Sequence, residues 1–167
     1  MISPQPTSKN YNSLYHDFTE AYTNVHSLTR EFYPMAKRFV EHTEPELNRI
    51  VQKISHEESE QGGPMAYEKL VLYMNHFDDF TLMANKLFAD LKVLLERSDK
   101  FMNRMIDLKI NQPEWNVTDP EKCYQELIPE LGQLVEGLKE MPDRATGLVT
   151  KMKKLETDWK KTRDKIG

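Results

Sequence analysis

The stretch "NHFDDF" at residues 75–80 sets His76 beside two carboxylates, Asp78 and Asp79, in a strongly helical run. Imidazole and carboxylate together are the donors that helix bundles use to hold transition metals. Such sites need Glu-x-x-His on paired helices, with both groups projecting inward. No Glu-x-x-His occurs in this chain. When Phe77 is placed at position a of a heptad, Phe80 falls at d, and both belong to the apolar seam. His76 then falls at g on the flank, and Asp78 and Asp79 fall at b and c, facing water. The three polar groups diverge, so solvated side chains are expected rather than a metal site. His42, in "VEHTEP", lies near the end of the first seam beside a helix-breaking signal.

Other chemistries need constellations that are missing. The glycine pair Gly62–Gly63 is followed by Pro64, not by the Lys-Ser or Lys-Thr of a phosphate loop. No Gly-x-Ser-x-Gly turn occurs. Cys123 lies near an expected helix start, where a thiolate is favoured. A nucleophile also needs an oriented base, and no histidine follows His76. The expectation is a protein that is not an enzyme and has no cofactor and no bound metal.

The elements that carry these residues are long. Breaks at "EQGGP" and at "NQPEWNVTDPEK" divide the chain into three segments. Each has about 45 residues, or roughly 70 Å if fully helical. Gly62 and Gly63 stop a helix, Pro64 suits a first helical turn, and Thr118 or Asp119 can cap a helix that opens near Pro120. Steps of three and four trace an apolar seam along each segment. The middle one runs Tyr73, Phe77, Phe80, Ala84, Leu87, Leu91, Leu94, Ser98, Phe101, Met105 and Leu108, with Ser98 its only polar member. The first runs from Tyr11 through Leu14, Phe18, Ala21, Val25, Leu28, Phe32 and Met35 to Phe39. The third runs from Tyr124 through Leu127, Leu131, Leu134, Leu138, Met141, Ala145, Leu148, Met152, Leu155 and Trp159 to Ile166.

A sustained repeat of 3.5 residues marks coiled-coil packing. The e positions Met74, Thr81, Phe88, Leu95 and Met102 of the middle segment, Tyr15 and Tyr22 of the first, and Ile128, Val135 and Val149 of the third are also apolar or aromatic, Thr81 excepted. A stripe that wide wraps a bundle rather than a two-stranded seam. The predicted fold is all-α: an elongated antiparallel three-helix bundle with coiled-coil packing and proline-kinked first and third helices. Residues 1–9, with Pro4 and Pro6, are predicted to be a flexible arm, and 10–167 a single domain. Pro34 and Pro129 are expected to kink their helices, because the seam passes through both. Around Pro45 the seam slips, with Phe39 followed by Leu47, Ile50 and Ile54. "HTEPEL" reads there as a fresh start capped by Thr43, and "EMPDRATGL" at Pro142 poses the same question.

Composition bounds the partners. The net charge of −4 argues against a dedicated nucleic-acid binder. The single cysteine permits no intrachain disulfide and leans toward a reducing, cytoplasmic setting. The start "MISPQPTSKN" has no apolar signal core, although a mature secreted chain would look the same. In that case the sequon at Asn116 would be glycosylated.

Charge is segregated. From Arg144 onward eight cations face three carboxylates, net +5, which leaves the rest of the chain at −9. Lys151, Lys153, Lys154, Lys160, Lys161, Arg163 and Lys165 form a candidate patch for an anionic partner. Met35, Met74, Met102, Met105, Met141 and Met152 all fall on the apolar stripe, where methionine fills irregular gaps.

A long, proline-interrupted three-helix coiled coil resembles, in architecture, the BAR domains and the spectrin-type repeats. BAR domains are dimers with a basic concave face, whereas here only the C-terminal end is basic. The leading expectation is a non-enzymatic scaffold or adaptor that binds protein partners along an elongated surface. One alternative is a BAR-like homodimer on anionic membranes, engaged through the Lys-rich C-terminal helix. The other is a secreted bundle that carries lipid.

Overall fold

The computed structural model describes residues 8–56, 63–107 and 120–166, and their side chains over 11–53, 67–107 and 125–164. It is all-α, with three helices packed against one another and no strand among the described residues. Helix α1 spans Ser8–His56, α2 Gly63–Asp107 and α3 Pro120–Ile166. Ser8 and Lys9, assigned to the arm by sequence, are helical, and residues 1–7 lie outside the described set. So do Thr118 and Asp119, the caps expected for α3, and the Asn116 sequon. The side chains of Cys123, Tyr124, Leu108, Ile54, Lys165 and Ile166 lie outside it as well.

Among the described residues no proline ends a helix. Pro34 and Pro45 lie inside α1, and Pro129 and Pro142 inside α3. Each ring removes one N–H and crowds the carbonyl four residues earlier. Burial of the flanking side chains outweighs that cost. The fresh helix start considered at Pro45 is therefore replaced by continuous helix, and Thr43 is a buried mid-helix residue rather than a cap.

The chain divides into two compact units, and each contains part of all three helices. Unit one comprises Met1–Thr29 and Ala89–Pro142, and unit two Arg30–Phe88 and Asp143–Gly167.

In unit one the α1–α2 contacts run in opposite senses along the chain. Tyr11 Oη donates to Met105 Sδ at 3.0 Å, the Phe18 and Phe101 rings meet edge-on at 5.6 Å, and Tyr22 Oη donates to Asp99. Burial, and then the hydrogen bond and charge of Asp99, push the Tyr22 phenol up to about 12. Arg104 on α2 reaches Glu126 and Glu130 on α3 at 3.7 and 3.3 Å, and Lys139 on α3 reaches Asp17 on α1 at 3.7 Å. These pairs are solvent-exposed, so they align the helices while adding little stability.

In unit two Phe39 packs on Phe80 at 5.3 Å and Phe77 at 6.0 Å, and Phe32 packs on Phe88 at 5.7 Å. Tyr73 of α2 lies 5.1 Å from Trp159 of α3. The Tyr73 hydroxyl is buried without a hydrogen-bond partner. Burial first, and then the charges of Asp158, Glu156 and Glu46, raise its pKa well above the ordinary phenol range.

The seams of α2 and α3 are buried at the positions read from sequence, from Tyr73 to Met105 and from Leu127 to Trp159. Ser98 is fully buried on α2 and donates its hydroxyl to Leu94 O at 2.8 Å, so its polarity is satisfied. The α1 seam is different. Tyr11, Phe18, Val25 and Phe32 keep a seven-residue repeat. From Phe32 the buried positions are Phe32, Ala36, Phe39, Thr43, Leu47 and Ile50, an eleven-residue repeat. Its 3.67 residues per turn lies close to that of a straight helix. Met35, placed in the seam by the seven-residue reading, is 39% exposed, and Ala36 takes its place.

Candidate functional site

The opening hexapeptide is an ordinary amphipathic turn. Phe77 and Phe80 are buried, while His76, Asp78 and Asp79 are exposed. Among the described residues no three metal-ligating side chains gather.

The candidate basic patch is reorganised by the helix. On α3, Leu155 and Trp159 mark the buried side. Lys151 turns toward α2, with its Nζ 3.6 Å from Met83 Sδ. Arg163 turns toward α1 and meets Glu46 at 3.5 Å. Lys165 lies outside the described side chains. Lys153, Lys154, Lys160 and Lys161 remain, all exposed. They sit at i−4, i−3, i+3 and i+4 around Thr157, so they share one outer face of the helix. Thr157 occupies the centre of that face and donates its hydroxyl to Lys153 O at 3.1 Å. No carboxylate among the described residues pairs with any of the four lysines. The two lysine pairs are seven residues apart, about 10 Å of helix rise. That is near the screening length at physiological salt, so the free face repels itself only weakly.

A second feature was missed by the sequence reading. Between α1 and α3 of unit two lies a groove of about 710 Å³. Phe39, Thr43, Met152 and Trp159 are its buried floor. Arg38, His42 and Glu46 line it from α1, and Glu156, Lys160 and Arg163 from α3. Glu46 accepts the Trp159 Nε1–H at 3.4 Å and pairs with Arg163. The signal that could have found the groove is the repeat change in α1, which puts Thr43 in the buried stripe and on the groove floor. Unit one has a smaller recess of about 270 Å³ between α1 and α3, where Lys139 and Asp17 pair.

No helix among the described residues is long and apolar enough to cross a membrane. Comparison with known proteins returns no matching family model, no matching curated protein and no matching solved structure.

Proposed function

We propose that this chain is a non-enzymatic helical interaction module that docks an acidic protein surface on the lysine face of α3. The observation that carries this reading is the ring of Lys153, Lys154, Lys160 and Lys161 around Thr157, unpaired among the described residues. Complementary charge steers encounter and selects against basic partners. The acidic balance of the rest of the chain confines that attraction to one end of α3. The lone cysteine fits a reducing, cytoplasmic setting for such a module.

The same four ammonium groups could meet anionic lipid, which is the runner-up reading and the one that allows a homodimer. One experiment separates the two. The protein is titrated with poly-glutamate and, in parallel, with phosphatidylserine-containing vesicles, at low and high salt. The expected result is salt-sensitive binding of poly-glutamate, weakened at least tenfold by Lys160→Glu with Lys161→Glu, and weaker binding to vesicles. Vesicle binding without poly-glutamate binding would replace this reading with the membrane one. Binding unchanged by the charge reversals would end both.

A further inference from the structure

We infer that the groove between α1 and α3 in unit two is a binding site for a single-chain amphiphile with an anionic head. Its volume of about 710 Å³ lies within the usual range for small-molecule sites. Its buried floor on α3 runs from Met152 to Trp159, about 10 Å of helix, long enough for a medium alkyl chain.

The floor is apolar where the seam is thinnest. The floor is made by Phe39, Thr43, Met152 and Trp159, all buried, with Thr43 the smallest of the four. An alkyl chain laid there would replace water against aromatic and thioether surface.

The walls select the head group. Two of the three lining carboxylates already face cations: Glu46 meets Arg163 at 3.5 Å, and Glu41 meets Lys37 at 3.9 Å. That leaves Glu156 as the one lining carboxylate without a cation among the described residues. Against it stand Arg38, whose Nε is 3.3 Å from Pro34 O and which meets no carboxylate, Lys160, which has no ion pair, and His42. The unclaimed charge is therefore positive, and it complements a carboxylate or phosphate rather than an ammonium.

Trp159 reports on the site. The chain has two tryptophans, Trp115 and Trp159, so Trp115→Phe leaves Trp159 as the only tryptophan, excited selectively at wavelengths where tyrosine does not absorb. This variant is titrated with decanoate, decyl phosphate and the uncharged alcohol decanol, all below micelle-forming concentrations. Decanoate or decyl phosphate is expected to shift Trp159 emission saturably at one molecule per chain, and the stronger of the two identifies the head. Decanol is expected to bind at least tenfold more weakly. Thr43→Leu, which fills the floor, should abolish the shift while the protein melts no lower. Arg38→Glu with Lys160→Glu, both at exposed positions, should weaken anion binding at least tenfold without affecting folding. Emission that never saturates, decanol binding as tightly as the anions, or anion binding unchanged in the double charge reversal would each overturn the inference.

Discussion

The two units are built from the same three helices and differ in how α1 meets α3. In unit one α1 keeps the seven-residue spacing of its partners, through Tyr11, Phe18 and Val25, and the recess beside α3 is small. In unit two α1 changes to an eleven-residue spacing, through Phe32, Ala36, Phe39, Thr43, Leu47 and Ile50, while α2 and α3 keep sevens. Thr43 of that stripe then lines the recess beside α3, which is more than twice as large as that of unit one. A change of repeat on one helix can thus open a site without a loop or a glycine. The unpaired lysines lie in this same unit.

The largest effects should come from removing a ring from either core. Phe101→Ala in unit one and Phe80→Ala in unit two each delete a fully buried side chain. Each is expected to cost about 3–5 kcal/mol in urea unfolding. Amide exchange should accelerate first in the unit carrying the change, and equal acceleration in both would erase the distinction between them.

Filling the small positions should give opposite signs. Ser98→Leu in unit one overpacks a fully buried site and is expected to cost about 1–3 kcal/mol. Thr43→Leu in unit two enters open space and is expected to stabilise by about 1 kcal/mol through added apolar burial. Loss of stability in both variants would show that Thr43 has no room beside it.

Smaller still is the pair Gly137→Ala and Gly147→Ala. Both remove a helical glycine, a change worth roughly 0.5–1 kcal/mol in favour of alanine. At Gly147 an added Cβ meets nothing within 4 Å, whereas at Gly137 it meets Leu94 Cδ1 at 3.1 Å. Thermal melts should therefore rank Gly147→Ala as the more stable variant.

The smallest effect is one of pH. Tyr22 is held protonated, up to about 12, by burial and by Asp99. Its raised pKa contributes stability that is complete below the free phenol value of about 10 and fades as pH climbs toward 12. Phenolate absorbance should show this late titration, and Asp99→Asn should move it earlier.

Most of this architecture can be read from the sequence where spacing is regular. The α2 and α3 seams are legible residue by residue because no competing signal interrupts them, and Ser98 is legible as the polar member of its seam. The α1 seam beyond Phe32 is not. Pro45 and Thr43 together carry a helix-start signature, and that local preference is overridden by burial of Thr43, Leu47 and Ile50. The lysine cluster is visible in the chain. That Lys151 and Arg163 leave it depends on Met83 and Glu46, distant in sequence and brought close by packing. The groove has Thr43 in its floor and the Glu46–Arg163 pair in its walls, the first hidden by a local helix-start signature and the second by distance along the chain, so it came into view only with the structure.

The central claim is that unit two, through the α3 lysine face and the groove beside it, is the part of the molecule that binds. It is tested most directly by amide chemical-shift mapping on the isotopically labelled protein during titration with poly-glutamate and then decanoate. The account predicts shifts centred on Lys153–Lys161 for the first and on Phe39, Thr43 and Trp159 for the second, with Phe18 and Phe101 of unit one unmoved. Shifts centred on Phe18 and Phe101, or none at saturating ligand, would contradict it.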